Sequence, residues 1–208
     1  MYKVFVNKSL IILTEKADAH LTDNSVIITY THISQLSETV NYLLENVSVK
    51  PTVIVHFDID ELWSDFINQF KYVHAAGGMV FNEKNEFLII HRNDKWDLPK
   101  GHLKKGERPS FGGMREVEEE CGVNDLTIVS HLDNTFHMYE RNGLTLKKTF
   151  WYIMKSNSNE ILTPQFEEGI DKVEWKNEGD IKELIQKSYP IIEELLYLGT
   201  KMINSNNH

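Results

Sequence analysis

The spacing of apolar residues changes character once along the chain, near Tyr72. Before it, Tyr2 to Val6, Leu10 to Thr14, Val26 to Tyr30 and Val53 to Phe57 are short apolar or alternating runs, rich in β-branched and aromatic side chains. They predict strands, with Asn7, Lys8 and Ser9 turning the first into the second. Leu36, Val40, Leu43, Leu44 and Val47 recur at helical period behind Ser34, which predicts an amphipathic helix capped by that serine. A second helix is predicted to start at Asp58, with Glu61 as its capping-box partner and Leu62, Phe66 and Phe70 facing inward. These elements make a small α/β N-terminal domain over residues 1–71, and none of its residues reads as catalytic.

After Tyr72, the small residues Ala75, Ala76, Gly77 and Gly78 lead into a strand pair, Met79 to Phe81 and Phe87 to His91, joined by the polar turn Asn82 to Glu86. Further strands are predicted at Leu126 to His131, Leu146 to Met154 and Lys172 to Trp175. Closing helices are expected near Ile181 to Lys187 and Ile191 to Met202. A second domain therefore spans 72–203, and residues 204–208 read as a frayed tail.

Composition narrows the function classes. The 208 residues are 41% hydrophobic and 25% charged, as in a soluble globular protein. With 22 basic against 31 acidic residues, the formal charge is −9, which argues against general affinity for DNA, RNA or anionic membranes. A polyphosphate must then be met by a local basic patch or by metal ions. Residues 1–71 carry Lys3, Lys8, Lys16, Lys50 and Lys71 against a larger number of acids, so a DNA-reading role is not expected there. That region is read as a cap or dimerisation element, the second of which would make a homodimer. Cys121 is the sole cysteine, so neither an intrachain disulfide nor a cysteine-built zinc site can form. No apolar run approaches the ~18 residues of a bilayer span, and Asn7, Lys8 and Ser9 interrupt any signal-peptide core. A cytoplasmic protein is expected.

The chemistry concentrates in residues 101–123, GHLKKGERPSFGGMREVEEECGV. Glu116, Glu119 and Glu120 are spaced i, i+3, i+4 and would stack three carboxylates on one helix face, while Met114, Val117 and Cys121 point inward. Taken alone, such a triplet reads first as a solvated acidic face. Its other reading is a hard oxygen site for Mg²⁺ or Mn²⁺, which keep positions for water and substrate phosphate. His56, His74, His91, His131 and His137 show no metal-ligand spacing.

The surroundings of the triplet decide between these. Gly101, Glu107, Arg115, Glu116, Val117, Glu119, Glu120, Gly122 and Val123 stand at every defined position of the Nudix box, and the chain from about Tyr72 to Met202 resembles a Nudix domain. The resemblance implies an α/β/α sandwich with a mixed sheet. It also implies a divalent metal, Mg²⁺ or Mn²⁺, held by Glu116, Glu119 and Glu120 and completed by the Gly101 carbonyl, with Glu168 a further candidate ligand. The activity implied is hydrolysis of a diphosphate linked to a group X, with Arg115 pairing with Glu107 to orient the helix. The general base varies within the family, so Glu116, Glu119, Glu167 and Glu168 all stay open. Gly112 and Gly113 replace better helix formers, at about 1 kcal/mol each, and Arg108 replaces a capping Ser or Thr before Pro109. Both departures put the first helical turn in question.

Lys95, Lys100, His102, Lys104 and Lys105 gather beside the box against an acidic background, which favours a phosphate-rich small molecule, a nucleotide first among them. The Pro-Lys-Gly-His lead resembles asymmetrical dinucleoside tetraphosphate hydrolases, as does Tyr139, at the position where that group tends to stack a base. Lys147 and Lys148 are candidates for holding outer phosphates. Nucleoside triphosphates, triphosphate-capped RNA and diphosphoinositol polyphosphates stay open as substrates. A non-catalytic nucleotide sensor is the rival class; sensors of that sort often lose box residues, and this box has lost none.

Overall fold

In a computed structural model of the chain, residues 1–18, 24–140, 143–157, 161–184 and 188–206 are described. They divide into two compact units, Met1–Val73 with Thr135–Lys148, and His74–Asn134 with Thr149–His208.

The first unit contains β1 (Tyr2–Val6), β2 (Ser9–Thr14), β3 (Val26–Thr29), α1 (Ser34–Glu45), β4 (Thr52–Val55) and α2 (Ile59–Asn68). A tight turn with Asn7 at φ 54° joins β1 to β2 as an antiparallel pair. β4 lies between β2 and β3, parallel to both. Parallel neighbours cannot be joined by a hairpin, and α1 supplies the crossover from β3 to β4. On its other edge β1 pairs in parallel with the far end of β9 (Leu126–Glu140), Val4 opposite Phe136 and Val6 opposite Met138. That pairing is why residues 135–148 belong to this unit, where sequence reading had set a single cut after residue 71. Leu36, Val40 and Leu43 of α1 and Leu62 and Phe66 of α2 close one core over Val4, Ile11, Leu13 and Ile54.

Both helix starts differ in detail from expectation. Ser34 is the first helical residue and Ile33 precedes it without a side-chain cap; instead the Gln35 Oε1 accepts the N–H groups of Thr31 (2.8 Å) and His32 (2.9 Å). Val47 falls beyond the end of α1 and is exposed. Asp58 does cap α2, accepting from Asp60 and Glu61 at 3.0 Å. Its own N–H donates to the His56 Nδ1, in place of the Glu61 side chain expected there.

The second unit orders its strands as β11-β6-β5-β10-β9: β11 (Ile170–Lys176), β6 (Phe87–Arg92), β5 (Lys71–Phe81), β10 (Leu144–Ser156) and β9. Two short strands extend it, β7 (Lys95–Asp97) on β6 and β8 (Lys100–His102) on β5. Alternation along the strands feeds two cores. Met79, Phe87, Ile89 and Trp151 pack with Ile181 of α4 (Glu178–Leu184) and Ile192, Leu195 and Leu196 of α5 (Pro190–Asn206). Val80, Leu88, Ile90 and Met154 pack with Val117 and Cys121 of α3 (Pro109–Cys121). Helices thus cover both faces of a mixed sheet, the α/β/α arrangement expected. Residues 204–206, expected to fray, continue α5, while 207–208 and the 185–187 end of the expected helix from Ile181 lie outside the described residues. Among the described residues no helix is long and apolar enough to cross a membrane.

The Leu88 side chain is fully buried between strand and box helix. Leu88→Ala is expected to cost about 2–5 kcal/mol, read as a lower urea midpoint with an unchanged denaturant slope.

Candidate functional site

The acidic segment folds as a helix from its first turn. Arg108 is extended and makes no side-chain cap, but its carbonyl accepts the Gly112 N–H at 3.0 Å, and Pro109 takes the position where a missing N–H costs nothing. The two glycines that weaken an isolated helix lie where it packs closely on its neighbours. A Cβ on Gly112 would lie 2.3 Å from the Leu103 side chain, and one on Gly113 would lie 3.3 Å from the Gly77 carbonyl oxygen. Gly122, left-handed at φ 71°, ends the helix.

Arg115 is the hub of a first network. Its Nε donates to the Glu107 Oε1 (2.8 Å) and its Nη2 to the Glu107 Oε2 (2.9 Å), a bidentate fork. The Nη1 reaches Glu116 Oε1 at 2.7 Å and Glu119 Oε2 at 2.8 Å, and the Nη2 also donates to the His102 carbonyl at 3.2 Å. The Lys104 N–H donates to Glu107 at 2.8 Å, and its ammonium lies 3.7 Å from Glu119. Hydrogen bonding from Arg115 pulls the Glu107 carboxyl down to about 2, and the same bond pushes the guanidinium up. Burial raises Glu116 against the pull of Arg115.

Glu120 belongs to a second network, and its side chain is only 2% exposed. Its Oε2 accepts the Lys100 backbone N–H at 2.7 Å, and its Oε1 lies 3.7 Å from the Arg92 Nη1. Burial lifts this carboxyl to about 7, opposed by the cations Lys100 and Arg92. The Lys100 ammonium, expected to face substrate, donates instead to Asp97 at 2.5 Å and to the Leu98 carbonyl at 3.0 Å. Arg92 also donates to Glu168 at 2.9 Å, which brings the later loop acid to the box.

Gly101 leaves the space that the Glu116 carboxylate occupies, since a Cβ there would lie 1.8 Å from the Glu116 Oε2 and the side chain would have to turn away. β8 sets this approach by pairing Gly101 with Ala76 and Lys100 with Gly77. The donor set of Glu116, Glu119, Glu120 and the Gly101 carbonyl suits a hard divalent cation. With Glu116 and Glu119 paired to Arg115 and Glu120 to Lys100, no three acid, histidine or cysteine side chains among the described residues are gathered to hold a metal.

Tyr139 and Lys147, expected to hold a base and outer phosphates, belong to the first unit, where the Lys147 ammonium lies 5.5 Å from the Tyr139 ring centre. Cys121 is buried and its thiol raised well above the usual range by desolvation, which leaves it without nucleophilic character. Arg92 and Asp97 were missed from sequence. The signal for Asp97 was present, an acid flanked by Trp96 and Leu98 inside the lysine-rich lead.

The model of the NUDIX domain family matches residues 71–195, more than half of the chain. The chain belongs to the Nudix family. An 8-oxo-dGTP diphosphatase of Proteus vulgaris is 29% identical over 97 residues, 44% of this chain and 83% of that protein. An RNA pyrophosphohydrolase of Zymomonas mobilis is 34% identical over 71 residues, 31% of this chain and 46% of its own length. A solved Ap4A hydrolase of C. elegans shares the fold, with TM-score 0.54 and 24% identity over 64% of this chain and 98% of that one. This protein is accordingly a Nudix hydrolase, from a family whose members generally depend on a divalent metal.

Glu107 is depressed from 4.5 to about 2 in the folded chain, so its stabilisation is complete above pH 4.5 and is lost as pH falls toward 2. Glu107→Gln should flatten that acid limb of the melting temperature against pH, measured by calorimetry; an unchanged limb contradicts the fork's role.

Proposed function

We propose that this Nudix hydrolase cleaves a phosphoanhydride in a nucleoside diphosphate linked to X, with dinucleoside polyphosphates such as diadenosine tetraphosphate as substrate. The observation that supports it is the box helix, whose acids Glu116 and Glu119 share one arginine that Glu107 fixes from behind. Glu116, Glu119 and Glu120 with the Gly101 carbonyl would hold the metal, and Glu168 is a fifth candidate. A bound Mg²⁺ or Mn²⁺ supplies neutralisation of charge on phosphate oxygens and a water of lowered pKa.

The chain's own residues do the rest. The fork to Glu107 keeps Arg115 in place whatever the other glutamates bind. A carboxylate, Glu116, Glu119, Glu167 or Glu168, takes a proton from water as its oxygen bonds to phosphorus. The anhydride P–O bond breaks with its electron pair on the departing phosphate, giving ATP and AMP from diadenosine tetraphosphate. Lys104 and His102, exposed beside the box, are proposed to meet outer phosphates. Lys100 holds Asp97 and Glu120 and acts through them. The Pro-Lys-Gly-His lead favours the dinucleoside substrate. The relatives named for 8-oxo-dGTP and for RNA keep nucleoside triphosphates and triphosphate RNA as the second reading. The acidic net charge supports small molecules, and neither DNA nor membrane, as partners.

Product analysis with Mg²⁺ or Mn²⁺ across diadenosine tetraphosphate, nucleoside triphosphates, triphosphate RNA, ADP-ribose and a diphosphoinositol phosphate tests this. Metal-dependent ATP plus AMP is expected from the first, with Glu119→Gln and Glu120→Gln each lowering kcat by about 100-fold or more. Tight binding of a nucleotide without turnover on any member would replace the hydrolase reading with the sensor.

A further inference from the structure

The chain segment before β11 is laid against the end of the box helix. The Thr163 N–H donates to the Cys121 carbonyl at 2.9 Å and the Gln165 N–H to the Glu120 carbonyl at 3.2 Å. These bonds occupy carbonyls that a helix end leaves without intrahelical partners. Gly122 makes the approach feasible, since a Cβ there would lie 2.8 Å from the Thr163 side chain. Beyond Gln165 the chain makes one 3-10 turn, Phe166–Glu168, closed by Gly169 at φ 75°. Among the described residues that turn makes no main-chain bond to α3, and Arg92 ties its Glu168 side chain to the rest of the unit.

Arg92 ends β6, so its backbone is fixed by pairing with β11 on one side and β7 on the other. Its planar guanidinium spans two acids, donating to the Glu168 Oε2 at 2.9 Å through one nitrogen and lying 3.7 Å from the buried Glu120 Oε1 through another. We propose that Arg92 is a positioning residue that holds Glu168 at the box by bridging it to Glu120, which makes Glu168, and not the adjacent Glu167, the working acid of this loop. The proposal rests on the hydrolase reading above. A lysine, with a single point charge, cannot bridge the two carboxylates in this way. Because Glu168 is 53% exposed, its ion pair adds little to stability; what it fixes is position.

The test combines kinetics of Arg92→Ala, Arg92→Lys, Glu168→Gln and the Arg92→Ala/Glu168→Gln double variant with hydrogen exchange of residues 163–169 in the metal-free, substrate-free protein. Arg92→Ala is expected to lower kcat about 10-fold or more with KM within about twofold, at a near wild-type melting temperature. Arg92→Lys should recover only part of it, and the double variant should be no slower than Glu168→Gln alone. Exchange over 163–169 should quicken in Arg92→Ala and in Glu168→Gln alike. A raised KM with kcat kept would make Arg92 a substrate ligand, and additive losses or unchanged exchange would equally overturn the proposal. A wild-type protein that turns over nothing defeats the hydrolase reading instead, while the exchange result still decides the tether.

Discussion

Crowded carboxylates on one helix face are the constraint from which the rest of this site follows. Like charges within a turn and a half repel one another, and burial makes the ionised forms of Glu116 and Glu120 costlier still. The fold answers with fixed donors rather than with distance. Arg115 spreads its N–H groups over Glu107, Glu116 and Glu119, and Glu120 receives the Lys100 amide and the charge of Arg92. Glu107 differs from the others in kind. It stands outside the helix, takes the bidentate face of Arg115, and so keeps the arginine oriented toward the acids that must remain exchangeable.

The same crowding explains why small residues gather where they do. Glu116 can lie against β8 only because Gly101 has no side chain. Gly112 leaves room for Leu103 and for the Glu107 carboxylate, so the residue that weakens the helix in isolation is the one that lets the fork close. The helix accepts a propensity cost of about 1 kcal/mol at each glycine to place its charged groups.

Local features of this arrangement were legible in the sequence, and long-range ones were not. The inward stripe of Val117 and Cys121 follows from helical period alone, and the Asp58 cap from a side chain two residues from the N–H it satisfies. The three box acids expected on one face divide, however, Glu120 turning inward to Lys100 and Arg92 while Glu116 and Glu119 meet Arg115. Ser34 carried an equally good local signal and lost to Gln35, whose longer side chain reaches back past it. Gly112 and Gly113 were misjudged because propensity counts only the helix, while their neighbours Leu103 and Gly77 come from elsewhere. Arg92 had no local pattern at all; its meaning appears only when β6, α3 and the 166–168 turn meet. The extent of the first unit was hidden for the same reason, since the pairing of Val4 with Phe136 joins distant stretches of chain.

The direction of the helix adds a final electrostatic argument. Glu116, Glu119 and Glu120 occupy the C-terminal half of α3, toward the end where the helix dipole disfavours negative charge. The backbone of the helix itself therefore does not help these carboxylates ionise; the Lys100 amide supports Glu120 from β8, and cations supply the rest. Arg115 and Arg92 supply two, Lys104 approaches Glu119, and a divalent ion is the further cation such a face favours. An acidic protein of net charge −9 repels a polyphosphate over most of its surface. At the box, the proposed divalent ion, with Lys104 exposed beside it, would reverse that sign. On the proposed metal site, the placement of acids at the unfavourable end of the helix would couple metal affinity to substrate affinity, because the cation that relieves the carboxylates would also be the one that attracts phosphate.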